Sequence, residues 1–192
     1  MSTVFNEDWY SYDQCRVVAE LIKTTKGLSG LNIEIGCWEG KSTIALANAC
    51  YGEDIICNDT WEGNTAESVV TGADHITVKI LKERDVFKIF ESNMQQNTAG
   101  NYKVVKRDCL EWLAELKEPV KFAHIDASHD YYSVKKTIEL LLPLLVGGGI
   151  LCGDDFLSAN MQSIALCGGV ERAVRELLPG VQNYGNLWYW SK

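Results

Sequence analysis

Leu31-Asn-Ile-Glu34-Ile-Gly36-Cys-Trp38-Glu-Gly40-Lys-Ser42 is the stretch that decides the fold. Leu31 to Ile35 is a short apolar, β-branched run that ends on a glycine turn, and a helical pattern follows from about Ser42 to Cys50. A strand that turns straight into a helix is the building unit of a parallel sheet. The unit recurs. Asp54 to Asn58 reads as a second strand, Tyr102 to Lys106 as a third, Val120 to Ile125 as a fourth and Gly149 to Cys152 as a fifth. Helical spacing marks Tyr12 to Lys23, the turn bearing Leu110, Leu113 and Ala114, the run Val134, Ile138, Leu141 and Leu142, and the run Val170, Ala173, Val174 and Leu177. Val181 to Tyr184 and Leu187 to Trp190 flank Gly185-Asn186, a two-residue hairpin signal. The expected fold is α/β: a doubly wound, mainly parallel seven-stranded sheet with a C-terminal antiparallel hairpin. One domain is expected over 1–192. It has an N-terminal helical segment at 1–30 and an insertion at 62–100 covering the site, with one helix from about Ile80 to Met94.

The 192 residues are ample for one core, and 46% are hydrophobic, which excludes wholesale disorder. A net charge of -8 disfavours a nucleic-acid substrate, which calls for an excess of Lys and Arg. The seven cysteines form no CxxC pair and no framework, as expected of buried free thiols in a reducing compartment. MSTVFNEDWYSYD lacks the basic-then-apolar pattern of a secretory signal, and ELLLPLLVGGG is too short to span a bilayer. A cytoplasmic protein is expected. Its partners are a small-molecule substrate and at most a second copy of the chain as a homodimer, with no membrane.

In an open α/β sheet, ligands bind at the carboxyl ends of the strands. At the first of these ends, Gly36 and Gly40 let backbone approach a ligand closely, and Glu34 can accept from an ammonium group. Ser42 can cap the following helix and meet a carboxylate at its positive end. The dinucleotide pattern G-x-G-x-x-G is absent. The triphosphate pattern G-x-x-x-x-G-K-[ST] falls one residue short between Gly36 and Gly40, and Glu34 and Glu39 would repel phosphate. Asp59 can hold ribose hydroxyls or cap a turn. Asp108 can meet an adenine amino group or cap the helix after it.

Glu34-Ile-Gly36-Cys-Trp38-Glu-Gly40-Lys-Ser42 resembles the E-[IL]-G-x-[YWH]-x-G-x-S loop of catechol-type and macrocin-type O-methyltransferases. His124-Ile-Asp126-Ala-Ser-His129-Asp-Tyr131 and Gly148-Gly-Ile-Leu-Cys-Gly-Asp154-Asp155-Phe156 resemble the macrocin group's H-x-D-x-x-H-x-Y and GG-x-x-x-x-DD-[FY] segments, in that order. The resemblance covers roughly Gly30 to Phe156. It implies the class I Rossmann-like methyltransferase fold with S-adenosylmethionine as methyl donor. Carried over, Glu34, Gly36, Trp38, Gly40 and Ser42 would hold the methionine part, Asp59 the ribose, and Asp108 with Cys109 the adenine edge.

Asp126 ends the fourth strand and Asp154-Asp155 the fifth. If these strands are neighbours, three carboxylates gather, and like charges raise one another's pKa unless a cation neutralises them. A hard divalent ion, Mg²⁺ or Mn²⁺, suits Asp126, Asp154 and Asp155. In the resembling enzymes such an ion lowers the pKa of the acceptor hydroxyl. His129 is the candidate general base, acting with Asp126 as the catalytic pair. His124, inside an apolar strand, is expected to be a satisfied core histidine, and His75 has no evident partner. Tyr131, Tyr132, Trp61, Trp188 and Trp190 either line a pocket or fill the core. The function expected is methyl transfer to a small molecule's hydroxyl with metal assistance. The alternatives are metal-independent O- or N-transfer and a non-catalytic binding fold.

Overall fold

The apolar runs between glycine turns and helix caps become strands of one sheet: β1 (Leu31–Ile35), β2 (Ile55–Asp59), β3 (Tyr102–Lys106), β4 (Val120–Ile125), β5 (Leu145–Gly153), β6 (Gln182–Tyr184) and β7 (Leu187–Ser191). The computed structural model describes residues 3–50, 52–64, 67–69, 72–156 and 168–192. The strand order is β3-β2-β1-β4-β5-β7-β6, parallel from β3 through β5, with β7 and β6 antiparallel. From β1 the chain steps outward to β3, then returns to lay β4 against the free side of β1. That reversal leaves a crevice at the carboxyl ends of β1 and β4.

Helices cover both faces: α1 (Tyr12–Thr24), α2 (Lys41–Ala49), α3 (Ile76–Leu81), α4 (Val86–Asn97), α5 (Cys109–Glu115), α6 (Tyr131–Leu141) and α7 (Gly168–Leu177). On one face Val18, Ile22, Leu46, Phe90 and Met94 pack with Ile55, Cys57, Phe122 and Cys152. On the other, Leu113, Ile138, Val174 and Trp188 pack with Ile33, Ile35, Ala123, Ile125 and Leu151. Period-two alternation along β1 and β4 assigns each strand to both cores. It also turns Glu34 and His124, partners in register, toward the α1–α2 face. No described helix is long and apolar enough to cross a membrane.

Three expectations change. Among the described residues the expected single helix from about Ile80 to Met94 is divided between α3 and α4, because the Asp85 side chain accepts from Lys88 N and starts α4 afresh. Residues 65, 66, 70 and 71 of the insertion lie outside the described residues. β5 starts earlier than Gly149, since Leu145 already pairs with Val120. Trp188 is fully buried against the α7 side of the sheet, Trp61 packs on Phe87 and Phe90, and the Trp190 indole donates to Pro179 O at 2.9 Å, so all three are engaged in packing or with backbone.

Candidate active site

At the tip of β1, Glu34 is fully buried beside His124, whose Nδ1 stands 3.1 Å from Glu34 Oε1. His124 Nε2 faces the Tyr10 hydroxyl at 3.2 Å, so this histidine is satisfied, as expected of a core position. Burial pushes the His124 ring toward neutrality, but Glu34 beside it outweighs burial and raises its pKa. Glu34 Oε2 has no hydrogen-bond partner among the described residues. A buried carboxylate oxygen without a donor costs on the order of 1–3 kcal/mol or more. Such an atom at a strand tip is what an incoming ammonium group would satisfy.

The glycines of the loop serve the protein itself. Gly36 has φ +85°, and a Cβ there would lie 1.9 Å from Asp126 O, so glycine lets β1 and β4 turn out side by side. Gly40, at φ +88°, packs against Phe90 and holds the N-cap position of α2 without a side-chain cap. Ser42 therefore does not cap α2. It lies buried within the first turn, and the helix presents its N-terminal N–H groups uncapped by any side chain.

Asp59 holds this loop in shape. Its Oδ2 accepts from Cys37 N (2.8 Å) and Trp38 N (3.0 Å), and its Oδ1 accepts from Trp61 N at 2.7 Å. Burial raises the Asp59 pKa, against the opposing pull of the three N–H groups. Trp38 and Trp61 adopt left-handed φ of 46° and 52°, and the Trp61 indole donates to Trp38 O at 3.0 Å. Asp108 is the N-cap of α5, accepting from Leu110 N and Glu111 N through Oδ1. Cys109 opens that helix, half-buried, its thiol pushed up to about 11 by burial.

At the tips of β4 and β5 the structure brings Asp126, His129 and Asp155 together, with one ligand atom from each lying within 4.8 Å of the others. His129 Nε2 is 3.0 Å from Asp155 Oδ2 and 3.9 Å from Asp126 Oδ1. Asp155 carries a left-handed φ of 60°; among the described residues the other non-glycine positions with positive φ are Trp38, after β1, and Trp61, after β2. Asp154 turns the other way and accepts from Gln14 Nε2 of α1 at 2.7 Å. Of the expected trio Asp126, Asp154 and Asp155, Asp154 is thus held by α1, while the charges of Asp126 and Asp155 still act on it. Burial opposes the charge on His129, yet the carboxylates of Asp126, Asp155 and Glu67 around it hold its pKa well above the histidine range.

The family model described as a methyltransferase domain matches residues 33–156, which include the β1 loop, Asp59, Asp126 and Asp155. The chain belongs to the methyltransferase-domain family. No curated protein sequence matches it. This methyltransferase superposes on cofactor-bound Rv0187 from MTB with TM-score 0.70 at 16% identity, covering 98% of this chain and 84% of that one. The O-methyltransferase NovP gives TM-score 0.67 at 15% identity over 93% and 79% of the two chains. An O-methyltransferase from Bacillus cereus in complex with SAH gives 0.62 at 20% identity over 95% and 82%. The fold is that of the class I S-adenosylmethionine-dependent methyltransferases.

Several residues around the candidate site have no signal in the sequence. Glu67 is 1% exposed and comes from the insertion. It stands 3.1 Å from His129 Nδ1, accepts from His129 N at 2.8 Å, and lies 3.4 Å from His75 Nε2. His75 thereby gains a partner. Arg84 pairs with both Glu7 and Glu39, tying the insertion to the N-terminal segment and the cofactor loop. Nothing in a local pattern links positions so far apart.

Asp154 offers a stability test. Burial, then the charges of Asp126 and Asp155, push its carboxyl up to about 7, above the unfolded value of about 3.9. The folded state therefore binds this proton more tightly. Ionised Asp154 weakens the fold above about pH 7, and the penalty fades as pH falls toward about 4. Asp154→Asn keeps an acceptor for Gln14. In chelator at about pH 8 it should raise Tm by on the order of a few degrees, with the gain vanishing near pH 4. An unchanged Tm at the higher pH would mean that the carboxylate is not under this strain.

Proposed function

We propose that this methyltransferase moves the methyl group of S-adenosylmethionine to a hydroxyl oxygen of a small molecule, with a divalent cation held by Asp126, His129 and Asp155. The observation that carries the reading is a juxtaposition at neighbouring strand tips. A buried carboxylate oxygen without a donor, Glu34 Oε2, lies one strand from a group of two carboxylates and an imidazole.

Glu34 Oε2 fits the donor's ammonium group, and the uncapped N-terminus of α2 around Ser42 fits its carboxylate. Asp59 would serve the ribose and Asp108 with Cys109 the adenine edge, with Gly36, Trp38 and Gly40 forming the wall between. Oxygen and imidazole donors at this separation fit Mg²⁺ or, with the imidazole included, Mn²⁺. His129 would serve here as a ligand rather than a base: its Nε2, which faces Asp155 and Asp126, would give its lone pair to the cation, while Nδ1 keeps its hydrogen on Glu67. A bound cation would supply a lowered pKa for the acceptor hydroxyl.

The chain's own groups do the rest. The acceptor hydroxyl donates to Asp126, whose side chain keeps a quarter of its surface open. As the new O–C bond forms and the S–C bond breaks, the hydroxyl proton passes to that carboxylate and on to solvent, and the sulfonium leaves as a neutral thioether. Glu67 fixes the His129 ring from behind. Six unpaired cysteines among the described residues fit a reducing, cytoplasmic setting.

The test is a transfer assay with isotope-labelled S-adenosylmethionine against sugars, phenols and amines. The expected result is label on a hydroxyl oxygen, with one S-adenosylhomocysteine formed per methyl transferred. Label on amines alone would replace the oxygen assignment with nitrogen transfer.

A further inference from the structure

Residues 3 to 11 precede α1 and lie across the cofactor loop. Asn6 donates to both carboxylate oxygens of the buried Glu39, from its backbone N at 2.6 Å and from Nδ2 at 2.7 Å. Glu7 accepts from the Trp38 indole at 3.1 Å, and the Trp9 ring lies 5.5 Å from the Trp38 ring. Asn93 of α4 brackets the segment by accepting from Val4 N and donating to Val4 O. The segment is thus fastened to the same loop that ends β1.

Tyr10 is the place where it reaches the sheet. The residue is 6% exposed, and its ring meets His124 edge-on at 5.5 Å and 88°. His124 Nδ1 faces a carboxylate, which can only accept, so Nδ1 carries a hydrogen. Nε2 faces the Tyr10 hydroxyl at 3.2 Å. The imidazole is therefore pinned at both nitrogens, by the N-terminal segment on one side and by Glu34 on the other. Pinning the ring fixes Glu34 Oε1, and with it the direction in which the unpartnered Oε2 points.

We propose that Tyr10, acting through His124, is a positioning residue for Glu34, so that docking of residues 3–11 and binding of the methyl donor strengthen each other. The proposal rests on the reading of Glu34 as the partner of the donor's ammonium group. Tyr10→Phe keeps the buried ring and removes the hydroxyl. His124 Nε2 then has no fixed partner and the ring can tilt, so Glu34 loses its set orientation. Coupling between two sites is reciprocal: whatever factor Tyr10 adds to donor binding, the donor must add to docking of the segment.

The experiment uses S-adenosylhomocysteine as probe. In the wild type, saturating probe should slow amide hydrogen exchange across residues 3–11 and shift the imidazole ¹⁵N signals of His124, one of three histidines in the chain. Tyr10→Phe should weaken the probe's Kd roughly tenfold, as for a buried polar group left unpaired. The same substitution at Tyr12, 74% exposed, should leave Kd unchanged. A merely structural Tyr10 would lower Tm and leave Kd alone. Unaltered exchange over 3–11 in saturated wild type overturns the coupling, whether or not the variant folds. An unaltered Kd in folded Tyr10→Phe overturns it as well, with the cofactor reading intact. A wild type that binds no probe overturns the cofactor reading itself.

Discussion

Glu34→Gln is expected to weaken S-adenosylhomocysteine binding by about 2–4 kcal/mol, roughly thirty- to a thousandfold, while raising the Tm of the ligand-free protein. The two effects share one cause. Glu34 is fully buried, its Oε1 meets His124 Nδ1, and its Oε2 meets no donor. Without ligand that oxygen is a buried acceptor with no donor among the described residues, so an amide that asks less of its surroundings relieves the fold. With ligand, the amide nitrogen replaces the acceptor that the ammonium requires and places a donor against a donor. Gain of stability with loss of binding is the mark of a residue kept for function. Calorimetry and thermal unfolding on the same sample measure both. Equal binding by the variant would remove Glu34 from the site. A fall in both quantities would make it structural.

Removal of divalent ions is expected to abolish transfer, and Asp126→Asn to lower it by on the order of a thousandfold, since several kcal/mol of transition-state stabilisation are withdrawn. S-adenosylhomocysteine binding should survive in both cases, because Glu34, Asp59 and the α2 N-terminus are untouched. Titration of Mn²⁺ followed by electron paramagnetic resonance separates metal affinity from turnover. Asp126→Asn and Asp155→Asn should both lose affinity, and Asp154→Asn should retain most of it, because Asp154 is engaged by Gln14. Full activity in excess chelator would leave transfer to proximity and orientation alone.

The strand-turn-helix at Leu31 to Ser42, the repeated strand signals and the Gly185-Asn186 turn were legible because each is a local pattern, and together they imply the seven-stranded sheet. The adjacency of β4 and β5, and so the meeting of Asp126 with Asp155, followed from topology alone. What could not be read was which way each tip side chain turns. Asp154 and Asp155 are one residue apart and face different neighbours, a consequence of the positive φ at Asp155 and of Gln14 reaching over from α1. Strand-end position leaves Asp59 as either a ribose ligand or a turn cap. Its three bonds to loop N–H groups depend on the loop's folded path, which no spacing encodes. Glu67 and Tyr10 were invisible for the same reason. Glu67 reaches His129 across 62 positions and Tyr10 reaches His124 across 114. The division of the insertion's apolar periodicity into α3 and α4 could not be read, because the Asp85 cap lies inside an otherwise continuous pattern.

The most direct measurement is calorimetric titration of the purified protein with S-adenosylhomocysteine, ATP and NAD in parallel. The fully buried Glu34, whose Oε2 meets no donor among the described residues, predicts saturable one-to-one binding of S-adenosylhomocysteine alone. Binding of ATP or NAD with no response to S-adenosylhomocysteine would contradict it.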